Sequence, residues 1–410
     1  MIKFKSLIIL LFFPLLSFAS TIKVCKTCNE TSLKSALEKA VKGDTIYINK
    51  GIYKEHNIVI NKPVTIIGIG NPVIDGESKE TIFSVKTDNF NIQDLTIINV
   101  GRSFTKDYAA ILVSRSHHFT IKNIKIRNLF FGILIEKSHY GIIENNNIKS
   151  VSKSEAGAGN GVHMWHSSHI IVKNNDLSGL RDGIYFEFVS KSEISYNKSY
   201  NNLRYGLHFM FSNNNKYHHN TFSDNGAGVA VMFSKYIKMY NNNFLHNWGS
   251  ASYGLLLKEI YDADIKNNTF KQNTIAINVE GSTRINYTQN TFLRNGWALK
   301  VRGACYQNYF EKNNFLYNAF DVSYNSKLNN NRFKNNYWSE YTGYDLDKNG
   351  IGDVPYRPVK LFSYIVNETP ETLVLLRSLF VDIINFSEKV SPVFTPDKLI
   401  DKAPLMHKIQ

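Results

Sequence analysis

The chain has 410 residues, 43% of them hydrophobic, enough for two ordinary domains unless a single unit repeats along its length. Its net charge of +14 comes from 48 Lys and Arg set against 34 Asp and Glu, scattered and not clustered. That pattern reads as solvated surface and leaves room for acidic partners such as anionic glycans, nucleic acid or headgroups, with nucleic acid the least expected of these for an exported chain. Three cysteines are too few to hold a protein of this size together, which excludes a disulfide-framework fold.

The first 20 residues carry Lys3 and Lys5, an apolar run from Leu7 to Leu16, and then Ser17-Phe18-Ala19. A basic start, a short apolar core and small residues at its end are the marks of a cleaved leader, so residues 1–20 are expected to be a signal peptide. The apolar run is too short for a stable membrane span, and no later stretch approaches one. The mature protein is therefore expected to be soluble outside the cytoplasm. Cys25 and Cys28 come next; in an oxidising compartment a local disulfide is the simpler reading, with metal binding as the sharper alternative. Ser32 to Val41 then sets Leu33, Ala36, Leu37 and Ala40 on one helical face. A helix there would cap the open edge of a stack of strands.

A unit of about 22 residues repeats along the middle of the chain. Gly-Ile-Leu-Ile-Glu at 132 returns as Gly-Val-His-Met-Trp at 161, Gly-Ile-Tyr-Phe-Glu at 183, Gly-Leu-His-Phe-Met at 206, Gly-Val-Ala-Val-Met at 228 and Gly-Leu-Leu-Leu-Lys at 254. The first and third residues after the Gly position are apolar in each, an alternation that means strand. Later in most copies comes an Asn-rich corner such as Asn145-Asn146-Asn147 or Asn241-Asn242-Asn243, suited to tight turns. A unit this short cannot bury its own apolar face, so copies must stack. The expected fold is all-β, a right-handed parallel β-helix over residues 21–360 with an N-terminal capping helix. Leucine-rich repeats are the architectural alternative, disfavoured by the Asn corners and the second strand in each copy.

Beyond Tyr356-Arg357-Pro358 the periodicity stops. Thr372 to Phe386 carries Leu373, Leu376, Leu379, Phe380 and Ile383 at helical spacing, and a Pro-containing tail runs on through Pro404-Leu405-Met406. Residues 361–410 are thus expected to form a helix and an extended tail, packed back on the last coil or offered to a partner.

In stacked coils the second and fourth residues after the Gly position point outward, and equivalent positions lie about 4.8 Å apart. One column reads His163, Tyr185, His208, Ala230; its companion reads Trp165, Glu187, Met210, Met232. His163, His208, Met210 and Met232 on an exposed face would make a soft ligand set suited to Cu(I), or else, with Trp165, Tyr185 and Glu187, a patch that docks a protein. Asp345, Asp347, Asn349 and Asp353 resemble the start of a calcium loop, although Tyr356 stands where the bidentate Glu belongs, and a metal-free Asx-rich turn is the alternative. A polysaccharide lyase or hydrolase would need clustered carboxylates. Glu136 and Glu187 lie two coils apart, and Asp182 and Arg204 sit at corners, where each reads most simply as a solvated charge. No catalytic role is assigned.

Gly161 to Trp165, Tyr205 to Phe211, Val231 to Ser234, and Asn336-Tyr337-Trp338 leading into Gly343 to Asp353 together resemble the NosD family of nitrous oxide reductase maturation proteins, periplasmic β-helices. The resemblance covers almost the whole mature chain. It implies a periplasmic accessory, not an enzyme, that helps to mature copper centres with an ABC transporter and its cytoplasmic ATPase, a copper chaperone (NosL) and the reductase. The C-terminal helix and tail, Pro404, Leu405 and Met406 included, would contact the transporter's membrane subunit and so associate the protein with the membrane. His208, Met210 and Met232 fall in matching strands. A carbohydrate-binding or polysaccharide-lyase-type β-helix is the competing function.

Overall fold

A strand of three to six residues has too little apolar area to hold itself, so each can persist only between two others. In a computed structural model describing residues 20–103, 105–152, 154–325, 330–391 and 399–410, the strands form three parallel sheets of 14, 12 and 13 members. Each strand bonds to its equivalents one coil before and one coil after. The result is a right-handed parallel β-helix of about 14 coils, about 23 residues apart. One coil runs Phe131–Glu136 in the 12-stranded sheet, His139–Glu144 in the 14-stranded sheet and Asn147–Lys149 in the 13-stranded sheet. The expected leader lies outside the described residues, apart from Ser20.

The apolar positions marked in the sequence line the interior: Ile133, Ile135, Val162, Met164, Ile184, Phe186, Leu207 and Phe209 have no exposed surface. The repeated glycine has a packing cause. A Cβ on Gly132 would lie 2.3 Å from the carbonyl oxygen of Gly161, and one on Gly228 the same distance from that of Gly254, so a side chain there would collide with the next coil.

Where two Asn stand side by side at the Asn-rich corner, they do different work. Asn145, Asn174, Asn241 and Asn267 take left-handed backbone with φ of 54–57° and turn the chain. The next residue points inward and bonds along the axis. Asn146, Asn175, Asn197, Asn220, Asn242 and Asn268 each donate from Nδ2 to the side-chain oxygen one coil on, at 2.9–3.0 Å. The ladder continues through Asn290 and Asn313 to Asn336, whose backbone N–H and Nδ2 both donate to Asp401. A second ladder climbs from Asn202 to Asn318 and ends on Asp321. A third corner uses Ser116, Ser138 and Ser167, then Ser212 and Ser234, with Ser282 donating to the Sγ of Cys305. Cys305 is thus a buried free thiol in a serine slot.

Both ends of the stack are closed. Helix α1 (Leu33–Lys39) buries Leu33, Ala36 and Leu37 on the first coil. Ser32 caps it, Glu55 accepts the N–H groups of Leu33 and Lys34, and Lys62 bonds the carbonyls of Leu37, Glu38 and Ala40. Cys25 and Cys28 are bonded to each other ahead of it.

The C-terminal region departs from the single helix expected over 372–386. The chain forms α2 (Leu361–Glu368), a 3₁₀ segment (Pro370–Leu375) and α3 (Leu379–Val390). Pro370 cannot continue α2, and the turn lets Val381 of α3 join Phe362 and Val366 of α2 against Trp297 and Phe320 of the 12-stranded sheet. Nor does the tail extend freely: Pro404 is buried, Leu405 and Met406 are half-buried, and Leu405 bridges to Tyr337 and Ile351. Asp401 is fully buried, where it also accepts the Trp338 indole N–H.

Because Asp401 terminates three buried donors, Asp401→Ala should lose on the order of 3 kcal/mol in urea unfolding, by leaving those N–H groups unpaired. Asp401→Asn, which keeps an acceptor oxygen, should lose far less; equal losses would contradict this account of the ladder.

Candidate functional site

The register joins the two outward columns of the 12-stranded sheet as the sequence placed them. His163 pairs with Tyr185, Tyr185 with His208 and His208 with Ala230; Trp165 pairs with Glu187, Glu187 with Met210 and Met210 with Met232. The expected exposure of the first column needs correction. His208 is 6% exposed, Ala230 has no exposed surface, and His163 and Tyr185 are half-buried. Side chains of the preceding strand position and the inserted segments crowd this column. Asn160 lies beside His163, with Nδ2 at 3.3 Å from Nδ1, and the hydroxyls of Tyr205 and Tyr253 approach to 3.5 Å. Trp165, Glu187, Met210 and Met232, one step nearer the corner, remain half-buried.

Asp182 and Arg204 are also corrected: neither is a solvated corner charge. Asp182 is completely buried, and Arg204 grips both its carboxylate oxygens through Nε and Nη2. Burial opposes the Asp182 charge, but the Arg204 guanidinium and nearby His208 more than offset it and hold the carboxyl below its usual range. A buried pair of this kind adds little net stability, yet leaves a costly lone charge if one partner is removed. The signal was in the register: Asp182 and Arg204 flank Gly183 and Gly206 in successive copies, which places them one coil apart.

Above that pair lies the most unusual group in the region. His208 packs between the rings of Tyr185 and Tyr205, with centroids at 4.9 and 4.8 Å, and neither ring nitrogen has a hydrogen-bond partner. Its Nδ1 stands 3.8 Å from Asp182 Oδ2, too long for a hydrogen bond. Asn160 Oδ1 and Ser252 Oγ, on the two inserted segments, are likewise buried without a partner. A buried imidazole with two idle nitrogens carries a desolvation cost that a ligand would relieve, so the donor set fits a metal guest. Tyr185 Oη donates to Met210 Sδ at 3.7 Å, and its hydroxyl is pushed up to about 12 by burial and by Glu187, so it stays a donor. Burial lowers His163 to about 4, leaving a neutral imidazole at ordinary pH.

The carboxylates do not gather into a hydrolytic pair. Glu136 and Glu187 flank Trp165 in register, and among the described residues no three His, Cys, Asp or Glu side chains converge. In the Asp345–Asp353 loop the acids bond the loop's own backbone: Asp345 accepts from Asn349 and Gly350, Asp347 from Asn349, and Asp353 from Leu346, while Asn349 accepts from Ile351. This is an Asx-type turn, tied to the tail by Met406 N–H donating to Gly350.

His163 yields a pH test. Its folded value is depressed, so between pH 6.5 and about 4 the unfolded chain binds a proton that the folded chain refuses, and stability falls as pH drops through that window. Relative to His163→Asn, the wild type should lose about 2 kcal/mol in urea unfolding between pH 7 and pH 5. A parallel pH response in the variant would refute the assignment.

Comparison with known proteins bears on the same region. The family described as "Periplasmic copper-binding protein (NosD)" matches residues 149–343, the span holding both columns. A "Probable ABC transporter binding protein NosD" of Pseudomonas aeruginosa is 24% identical over 369 residues, covering 85% of each chain. The protein of the same description in Stutzerimonas stutzeri is 22% identical over 374 residues, covering 85% of this chain and 83% of its own. Among solved structures, the A-module of the Azotobacter vinelandii mannuronan C-5 epimerase AlgE6 superposes with a TM-score of 0.57 at 15% identity, over 73% of this chain and 93% of that one. The catalytic unit of a Streptomyces thermodiastaticus GH87 α-1,3-glucanase does so at 0.60 and 13%, over 76% and 65%. These last two share the fold alone. The family match over the site and the two relatives spanning most of the chain make it similar to the NosD family.

Proposed function

We propose that this chain is a periplasmic accessory in maturing the copper centres of nitrous oxide reductase, working as a rigid platform beside an ABC transporter and relaying Cu(I) from the copper chaperone NosL to the reductase. The observation that carries the reading is His208, buried with two unpartnered nitrogens, on the same strand as Met210, which pairs in register with Met232. Soft sulfur with neutral imidazole favours Cu(I) over harder ions, and a set with few charged donors lets the ion leave again. Within it, the Asp182 carboxylate faces Nδ1 of His208 and favours the tautomer that keeps the proton on Nδ1 and leaves the lone pair on Nε2. The Tyr185 hydroxyl orients the Met210 sulfur, and His163, kept neutral by burial, is a second imidazole on the same column. Copper here is cargo, and the protein's part is to receive, hold and release it.

The transporter contact is assigned to the C-terminal helices. α3 turns Leu379, Ile383, Phe386 and Val390 outward at 74%, 55%, 68% and 69% exposure, far more apolar surface than a solvated helix presents. No helix among the described residues is long and apolar enough to cross a membrane, so association with the bilayer would run through the transporter's membrane subunit. Pro404, Leu405 and Met406 support this surface indirectly by closing the last coil.

Anaerobic titration with Cu(I) against a competing chelator should give tight binding, weakened about tenfold or more by His208→Ala and by Met210→Leu with Met232→Leu. Unchanged affinity in both would end the relay. In cells, Phe386→Ser with Ile383→Ser should abolish co-purification of the transporter's membrane subunit while leaving Cu(I) affinity intact; retained co-purification would place the contact elsewhere.

A further inference from the structure

The turn residue that comes after each strand of the 12-stranded sheet forms a column of its own at the corner. All its non-glycine members from Arg115 to Glu259 have left-handed backbone, with φ of 47–54°. Bulky side chains there cost about 1 kcal/mol each relative to Gly, and where other corners accept that cost they mix polar residues such as Lys191, Asn214 and Asp262 with aromatics such as Tyr140 and Tyr236. Yet in four successive coils this position holds His166, Phe188, Phe211 and Phe233. Their rings stack nearly parallel, 4.6, 5.2 and 5.1 Å apart and within 15° of one another. Phe188 and Phe211 remain 43% and 40% exposed. These coils are the four that supply Trp165, Glu187, Met210 and Met232, each aromatic directly following one of them in sequence.

Toward the N-terminal end the same column turns basic. Arg115 and Lys137 occupy it, Lys86 lies one coil earlier in the adjacent column, in register with Ser114, and all three are exposed. With Ser114, Glu136 and Trp165 they line an open cleft of about 330 Å³. None of the three cations forms an ion pair within 4.0 Å among the described residues; Lys137 lies over the Trp165 ring at 5.0 Å. From Lys86 to Phe233 the strip spans six coil steps, about 29 Å. That is the width of one side of a standard protein interface, about 800 Å² per partner, and too long for a small ligand.

We infer that this corner is a docking rail for a copper-carrying protein whose contact strip is apolar over Phe188, Phe211 and Phe233 and carboxylate-rich over Lys86, Arg115 and Lys137. The inference deepens the copper-relay reading and rests on it, since the rail borders the thioether column that would exchange the ion. Charge complementarity selects an acidic partner edge, and the chain's net charge of +14 opposes a second copy of itself. Stacked rings held by their neighbours lose little freedom on contact, which suits them to anchor a transient complex.

The test measures binding of the mature protein to two purified probes, copper-free nitrous oxide reductase and its copper chaperone, with Cu(I) titration in parallel. Replacing Phe188, Phe211 and Phe233 together by Ser should raise Kd for at least one probe about tenfold or more at any salt concentration. The triple change Lys86→Glu, Arg115→Glu and Lys137→Glu should raise it about as much at low salt and far less at high salt. Cu(I) affinity should stay within about twofold of wild type in both, because neither variant alters a proposed ligand. Wild-type affinity of both probes for both variants, or no binding of either probe to the wild type, would overturn the rail. Loss of Cu(I) binding by His208→Ala with partner binding unchanged would instead remove the copper site and leave the surface standing.

Discussion

Everything in this molecule depends on one constraint: every backbone N–H and C=O of a coil must find its partner on the coil above or below. Parallel strands about 4.8 Å apart satisfy the straight segments, but the corners would be left with buried donors, each costing about 1–3 kcal/mol if unmet. The asparagine ladders meet that need. In Asn175 the side-chain oxygen accepts from both the backbone N–H and Nδ2 of Asn146, while its own Nδ2 donates onward to Asn197 and back to the carbonyl of Ile143. Such a residue serves three coils at once. A ladder of this kind has direction, and its last member has donors to spare, which is why an acid stands at each end: Asp401 beyond Asn336, Asp321 beyond Asn318.

The same constraint turns sequence into columns. Strict stacking means that a residue's neighbours are its equivalents about 22 residues away, so chemistry on this fold is written down the repeat and not along the chain. The His163-Tyr185-His208 column, the Trp165-Glu187-Met210-Met232 column and the His166-Phe188-Phe211-Phe233 corner are three adjacent lines over the same four coils. Across them the surroundings grade from the sealed Asp182 and His208, through half-buried sulfur, to exposed rings.

How much of this was legible in the sequence depends on the physical origin of each feature. Strand alternation, the glycine collision and the asparagine corner are local or strictly periodic, and so the coil register from 132 to 258 could be read. Burial of the outward face could not, because it comes from insertions and from side chains on flanking columns. The segments ending in Asn160 and Tyr253 break the period, and nothing in the repeat says on which face they will lie. The Asp182 and Arg204 pair escaped for a different reason. Charged residues at corners are usually solvated, and only the geometry one coil away shows the guanidinium folded over the carboxylate. The C-terminal helices differ from expectation because Leu373, Leu376 and Leu379 match a helical period across a point where packing against Trp297 and Phe320 requires the chain to reverse. The aromatic corner lies one residue beyond the strand alternation, at Phe188, Phe211 and Phe233, in a turn position where periodicity of apolar residues carries no strand signal.

That graded cross-section also bears on how a guest ion could be both held and released. A site sealed on all sides binds without exchange, and a site on an open surface loses its ion to water and competing donors. Here the imidazole of His208 is enclosed by Tyr185 and Tyr205, whereas Met210 and Met232 are half-buried, each one residue before a stacked ring of the corner, Phe211 and Phe233. On the proposed copper reading, an incoming thioether or thiolate would displace a sulfur at that edge before the nitrogen lets go, so the ion would never be released to water between partners. On that reading His208 would be the deep donor and Met210 and Met232 the exchangeable donors at the rim, and a rigid stack would maintain that order because the spacing of its rungs is set by backbone hydrogen bonds and not by the guest.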